Sequence, residues 1–377
     1  MIAKPAPLGT RTGMRVLVVT IVHDPRDARI SHREIAALRE AGHEVTFAAP
    51  FSGYGLATPS DGQSMDLPRA QGRRRLPAIR AAHQLIKRES PSYDVVILHD
   101  PELLIAGRAS KAPVTVWDVH EDTAAAVTLK PWLPDPLRRP TAAVFSRLEA
   151  NAESRFRLLL AEPEYSQRFR SQHPVVPNST SVPIQVPPSG TDRIVYVGAI
   201  TQARGALDII EAGRSLRAHG ITTHVIGSAD ENTRLAMTEA NERGEVVWHG
   251  FLPNDQAMRI IEGAAAGLSL LHDEPNYRHS QPTKVLEYMA HGVPVVTTPL
   301  PRAVSIVERY SSGVVVPFRD PTSVVAAVLG LTADPELRAT MASNGHSAAL
   351  ADFNWDKDGA QFAATLDRWV QESRTAL

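Results

Sequence analysis

Ser280-Gln281-Pro282-Thr283-Lys284-Val285-Leu286-Glu287-Tyr288-Met289-Ala290-His291-Gly292-Val293-Pro294-Val295-Val296-Thr297 decides the reading of this chain. The stretch predicts a short helix followed by a buried strand. Pro282 suits a first helical position, because the N–H it lacks has no partner there. Val285, Leu286 and Met289 make an apolar face. Gly292 suits a left-handed cap, and Pro294 opens the strand. Lys284 then falls in the first turn, beside free N–H groups and the positive end of the helix dipole. A cation is unfavourable there unless an anion is bound nearby. The segment reads as an anion cradle, with Glu287 one turn further in.

The same anomaly occurs a second time. Arg193-Ile194-Val195-Tyr196-Val197-Gly198 reads as a strand, followed by Ala199-Ile200-Thr201-Gln202-Ala203-Arg204-Gly205 and a helical pattern through Leu207, Ile210 and Leu216. Arg204 and Gly205 fall at the helix start, and Gly198 lets a ligand approach the backbone closely. Two helix starts that each carry a basic residue suit a diphosphate better than a single phosphate.

Working outward, the chain of 377 residues is long enough for two domains, each with its own core. Hydrophobic residues make up 43% and charged residues 21%, the balance of a globular chain. A formal net charge of −1 argues against nucleic acid as the main partner. Cysteine is absent, which excludes disulfides, thiolate metal sites and cysteine nucleophiles. No apolar run reaches the length of a membrane span, and residues 1–13 read as a flexible tail without the apolar core of a signal peptide. A cytoplasmic location is expected.

The first half alternates strand and helix: strands at Arg15–Thr20, Glu44–Ala49, Asp94–Leu98, Val114–Trp117 and Leu158–Leu160, and helices capped by Ser31, around Leu103 to Ser110 and from Thr141 to Arg155. Gly53 to Gly72 reads as a loop. A proline cluster from Pro174 to Pro188 marks the domain boundary. The second half repeats the alternation, with strands at His224–Ile226, Val246–Trp248, Leu268–Leu271, Val295–Thr297 and Val314–Val316, and a last helix from about Trp355 to Arg374. The expected fold is α/β, two doubly wound parallel sheets with ligands at the strands' carboxyl ends, in the cleft between domains.

In these residues the chain resembles a retaining glycosyltransferase of the GT-B fold, family 4. The resemblance rests on the two αβα halves, on Gly198…Arg204-Gly205, and on the Pro-x-Lys-x-x-Glu-Tyr-Met-Ala-x-Gly-x-Pro-Val-Val run. It implies two Rossmann-like domains facing each other across a cleft: an acceptor domain at 14–185, a sugar-nucleotide domain at 186–350, and a segment 351–377 crossing back to the first. It implies transfer of a sugar from a UDP- or GDP-sugar to an acceptor hydroxyl with retention, with no metal and no cofactor. Arg204 and Lys284 would grip the donor diphosphate, and Glu287 would hold the ribose. Gly227, Ser228, His249, Phe251 and Leu252, on His249-Gly250-Phe251-Leu252, would line the base. Gln281, Pro282 and Thr283 complete the donor segment. His279 stands where the first glutamate of the family's Glu-x7-Glu pattern is expected, which bears on the identity of the sugar; Ile200 stands where an arginine is common.

His120, in Asp118-Val119-His120-Glu121-Asp122, follows a strand and matches a family histidine that approaches the donor sugar. The same run also reads as a metal cluster or as a structural histidine. Asp24, Arg26, Asp27 and Arg29, in the loop after the first strand, are acceptor-side candidates, or else an internally bridged helix cap. Arg73, Arg74, Arg75, Arg80, Lys87 and Arg88 interleave with Leu76, Ile79, Leu85 and Ile86, a pattern for peripheral contact with an anionic membrane or for a solvated face with a core stripe. A glycan, lipid-linked or small-molecule acceptor is implied. Sugar-nucleotide 2-epimerisation and non-catalytic sugar-nucleotide binding are the rival functions. A dinucleotide dehydrogenase is disfavoured, since neither first strand is followed by Gly-x-Gly-x-x-Gly.

Overall fold

The computed structural model describes residues 13–375 apart from 121–142, 144–146, 276 and 279–281. The chain divides into two compact units. Unit 1 takes the residues up to Pro177 together with Asp356 onward, and unit 2 is Asn178–Trp355.

Unit 1 holds a six-stranded sheet of β1 (Arg15–Val19), β2 (Glu44–Ala49), β3 (Ser64–Asp66), β4 (Val95–Leu98), β5 (Val114–Val119) and β6 (Arg157–Leu160), in the order β3-β2-β1-β4-β5-β6. Every pairing is parallel. Val16 to Val19 and Val95 to Leu98 are fully buried, as expected of strands covered on both faces. β3 lies in the stretch read as a loop. Three polar residues at a sheet edge carry no periodicity, and pairing with Phe47 to Ala49 alone makes them a strand.

The first helix also differs from expectation. It starts at Ala28, as a wide π-helical segment Ala28–Ile35 that continues as Ala36–Glu40. The cap is Asp27, whose carboxylate accepts from the Arg29 and Ile30 N–H groups; Ser31, the expected cap, lies a turn inside. At the other end of the unit's sequence, the helix Trp355–Thr375 buries Phe362, Leu366, Trp369 and Val370. Arg157–Glu372 and Arg374–Asp94 ion pairs tie it to unit 1.

Unit 2 repeats the plan with β7 (Arg193–Val197), β8 (Thr222–Ile226), β9 (Val247–Trp248), β10 (Ala266–Ser269), β11 (Val295–Thr297) and β12 (Gly313–Val315), in the order β12-β11-β10-β7-β8-β9. All pairings are again parallel. In each sheet the strand order reverses at one place, between β1 and β4 and between β7 and β10. Open α/β sheets take ligands outside the carboxyl ends of the strands at such a switch point.

Candidate active-site residues

In unit 2 the helix Thr283–Ala290 is positioned by Tyr288. Its hydroxyl accepts from Val197 N (3.1 Å) and donates to Leu268 O (3.0 Å), joining β7 to β10 where the order reverses. Gly267 makes room, since a Cβ there would come within 2.3 Å of the Tyr288 ring. The helix ends in paired bonds, Gly292 N to Met289 O and Val293 N to Tyr288 O, with Gly292 left-handed at φ 62°. Pro282 is the residue before the first helical position rather than the first itself. Lys284 is then the second helical residue.

Lys284 is 8% exposed. Among the described residues its ammonium has no hydrogen bond or ion pair; it lies 5.1 Å over the Tyr196 ring. Burial, with the Arg204 charge added and Glu287 opposing, pulls its pKa down to about 7. Arg204 ends a short turn, Gln202–Arg204, and left-handed Gly205 (φ 80°) leads into the helix Ala206–Arg217. A Cβ on Gly205 would lie 2.4 Å from Leu270 O. The His272 N–H donates to Ala203 O, and the His272 ring meets Asp208 at 2.7 Å, so this turn is bolted to the end of β10.

Both cations converge on Gly198. A Cβ built there would lie 3.0 Å from Lys284 Cε, 3.4 Å from its Nζ and 3.9 Å from an Arg204 guanidinium nitrogen. Gly198 (φ 119°) and Gly227 (φ 139°) follow β7 and β8, and a Cβ on Gly227 would lie 2.0 Å from Gly198 O. Gly227 N donates to Gly250 O at 2.7 Å. The three glycines form a ledge of bare backbone along adjoining strand ends, with two cations at one end of it.

Trp248 Nε1 donates to Gly227 O, and His249 stacks on His224, with His224 Nδ1 2.9 Å from His249 Nε2. Burial holds both histidines below their ordinary pKa, the His249 charge adding to the effect on His224. Ser228 is exposed, as is Phe251 at 63%, while Leu252, Thr283 and Glu287 are half-buried. His279 and Gln281 lie outside the described residues, as do Glu121 and Asp122.

In unit 1, His120 follows β5 and is one member of a polar network. Its Nδ1 lies 3.0 Å from Asp118 Oδ2. Asp118 also accepts from Arg29 Nε (2.8 Å) and a terminal guanidinium nitrogen (2.6 Å). Burial works to raise the Asp118 pKa, but Arg29 outweighs it and holds the carboxylate well below its usual range. Arg29 is 5% exposed and also donates to Val176 O. Its guanidinium is thus engaged inside unit 1, which fits the internally bridged alternative for this loop. Asp27 caps the helix, and Asp24 pairs with exposed Arg26 at 2.9 Å. The loop is thus internally bridged.

Behind Asp118 lie His99 and Glu34, both buried. His99 is 3.3 Å from Asp118 and 3.5 Å from Glu34, and Glu34 is 3.0 Å from Arg29 Nε. Neither Glu34 oxygen is in hydrogen-bond alignment, because the Arg29 Nε hydrogen is given to Asp118. Burial, reinforced by Asp118, pushes Glu34 up to about 8, and burial lowers His99. His99, Asp118 and His120 bring ligand-type atoms within 4.8 Å of one another. Arg29 already occupies both Asp118 oxygens, so a dication would sit against a guanidinium, and the cluster fits a metal poorly.

No local spacing marks His23, His99, Asp100, Glu34 or Tyr288, or the pairing of His249 with His224, because the topology gathers these residues from separate strands, helices and loops. On the basic helix Arg75–Glu89, Leu85 and Ile86 point into the core and Leu76 is 65% exposed, so the interleaved apolar residues do not form one outward stripe.

Two parallel Rossmann-like sheets with a cationic glycine ledge at one switch point define the class. A model described as Glycosyltransferase Family 4 matches residues 28–192, and one described as Glycosyl transferases group 1 matches residues 191–334. Fold and family matches together place the chain among the glycosyltransferases of the GT-B fold.

Among curated proteins, the chain is 24% identical over 179 residues to the putative colanic acid biosynthesis glycosyltransferase WcaL of Salmonella typhimurium. The match takes in 46% of this chain and spans 44% of that relative's length. Among solved structures, sucrose-phosphate synthase from Thermosynechococcus elongatus superposes with a TM-score of 0.70 at 17% identity, covering 94% of this chain and 98% of that one. Anabaena Alr3699/HepE, in complex with UDP and glucose, gives 0.66 at 14% identity, covering 94% and 99%. WaaG, a glycosyltransferase involved in lipopolysaccharide biosynthesis, gives 0.66 at 16% identity with the same coverage.

Proposed function

We propose that this chain transfers a glycosyl group from a nucleoside-diphosphate sugar to an acceptor hydroxyl, with retention of configuration and without a metal ion. One observation carries the reading. A buried ammonium without an anionic hydrogen-bond partner among the described residues shares the surface of Gly198 with a guanidinium. Two cations this close repel unless an anion lies between them, and a diphosphate supplies one. The UDP and glucose of HepE support a UDP-sugar as the donor.

In this reading Arg204 and Lys284 neutralise the charge that builds on the departing diphosphate, the work a dication does elsewhere. The leaving phosphate oxygen takes the acceptor proton, and the sugar is attacked on the face it leaves from. Glu287 holds the ribose, the Gly227 to Leu252 edge receives the base, and His120 serves the transferred sugar. The acceptor is a glycan, a lipid-linked sugar or a small molecule, received by unit 1. Among the described residues no helix is long and apolar enough to cross a membrane. The exposed Arg73, Arg74 and Arg80 support at most a peripheral contact with anionic lipid, which co-sedimentation with anionic and neutral vesicles would separate.

The test has three stages. A panel of nucleotide sugars is screened by thermal shift, since a specific donor stabilises by mass action. Release of nucleoside diphosphate is then measured with and without acceptors, in the presence of a chelator. The anomeric configuration of the product is read by proton NMR. Acceptor-independent turnover would favour epimerisation, binding without turnover a non-catalytic role, and an inverted product would overturn retention.

A further inference from the structure

We propose that His23 is a positioning residue for His120: the two imidazoles hold one hydrogen between their Nε2 atoms, and this fixes the edge that His120 presents to substrate. The inference rests on the reading that His120 serves the transfer, but its geometry stands independently. His23 lies in the loop after β1 and His120 after β5. Their Nε2 atoms are 3.0 Å apart, with ring centroids 4.7 Å apart and planes tilted by 60°.

Charge settles which nitrogen donates. Asp118 is ionised and gripped by Arg29, so it can only accept, and His120 Nδ1 carries the hydrogen given to it. Neutral His120 therefore offers a lone pair at Nε2. The 3.0 Å contact then requires His23 to be the donor, as the Nε2–H tautomer.

His23 is itself held. Its Nε2 is 3.3 Å from Asp100 Oδ1, its Nδ1 is 4.0 Å from Asp27, and its backbone N–H donates to Thr20 Oγ1. Asp100, at the end of β4, accepts from Thr20 Oγ1 and from the Ile21 and Val22 N–H groups. The pair is thus fixed by carboxylates at both ends, across the switch point of the unit-1 sheet. Among the described residues, the charged and titratable groups facing it are Asp118, Asp100, Asp27 and His99, with Arg29 and Glu34 behind Asp118.

The arrangement tolerates one added proton, which can sit on His23 Nδ1 toward Asp27 or be shared between the rings. A second would set two N–H groups head to head at 3.0 Å. Where one ring carries its hydrogens therefore depends on the other across the 3.0 Å contact.

The experiment uses the full chain with ¹⁵N-labelled histidine, comparing wild type with His23→Phe, which keeps ring volume but no donor, and His23→Asn, which keeps an N–H donor. Imidazole nitrogen shifts are followed against pH, with the His120 signals assigned by a His120→Phe spectrum. In the wild type, His120 is expected to show hydrogen at Nδ1, and the His23 and His120 curves to share two inflections. In His23→Phe, His120 should titrate in one step. Independent single-step curves in the wild type, or an unchanged His120 curve in His23→Phe, would overturn the pairing whether or not the chain transfers sugar.

The second arm is acceptor-dependent turnover across pH with the donor found by thermal shift. His23→Phe is expected to lower kcat about tenfold and narrow its pH profile with donor KM unchanged, and His23→Asn to recover part of the loss. Coupled titration with normal His23→Phe turnover would overturn the positioning role. Failure of the wild type to turn over any donor would overturn the proposed function, leaving the spectra to decide the pairing.

Discussion

Lys284 illustrates why single residues carry so much of this reading. An ammonium at a helix start, buried and next to a guanidinium, destabilises the fold that holds it. Replacing it with methionine, which keeps the stem, should leave unit 2 at least as stable in thermal melts. It should also weaken binding of nucleoside diphosphate by roughly tenfold to a hundredfold, the worth of one or two hydrogen bonds to a charged group. Calorimetry showing unchanged affinity would remove Lys284 from the diphosphate site. With a free pKa near 7, Lys284 must take up a proton to meet the diphosphate in alkaline solution. Affinity should then fall by up to about tenfold per pH unit from 7.5 to 9, with proton uptake visible as a buffer-dependent heat. A flat profile would contradict it.

Glu34 gives the opposite signature. Its native pKa of about 8 lies above the ordinary 4.5, so the folded chain retains a proton that the unfolded chain releases. Its contribution is complete below about pH 4.5, declines as pH rises to 8, and is then lost. Glu34→Gln should flatten the fall in unit-1 stability between pH 5 and 8, measured by denaturant titration. An unaltered slope would mean Glu34 is ionised in the native state.

At the scale of elements, Tyr288 connects helix, sheet and site. Tyr288→Phe leaves Val197 N and Leu268 O without their partner, and should destabilise unit 2 by about 1–3 kcal/mol. Because the same helix carries Lys284, diphosphate binding should weaken as well. A variant as stable as wild type would show that the tyrosine merely fills space. This is also where the legibility of the sequence divides. The buried runs of β1, β4, β7 and β11 are apolar and bounded by turn residues, so the strands could be read directly. The cations at 204 and 284 could be read because each violates the dipole rule locally. The bridge made by Tyr288, the Arg29–Asp118 pairing and the meeting of His23 with His120 depend on strand order, which no short spacing encodes. Arg29 stays open between two readings for that reason: a basic residue in a loop looks the same whether it faces solvent or a carboxylate 89 positions later.

At the scale of the whole molecule, unit 1 is assembled from two separated stretches of chain. The side chains of Phe362, Leu366, Trp369 and Val370 are almost wholly buried. At about 1.5–3 kcal/mol each, their loss would cost on the order of 6 kcal/mol or more, comparable with the entire stability of a domain. Removal of residues 356–377 should therefore unfold unit 1 while unit 2 keeps its own melting transition and its affinity for nucleoside diphosphate. Retention of both transitions in calorimetry would show that the helix is dispensable.

The same discontinuity sets a timetable for the nascent polypeptide. The ribosome finishes Asn178–Trp355 before it makes the helix that completes unit 1. At roughly 5–20 residues per second, the first stretch of unit 1 waits on the order of 10–40 s for its closing segment. The later-made unit can mature first, and the earlier-made one is the natural client of holding chaperones until its closing segment emerges from the exit tunnel.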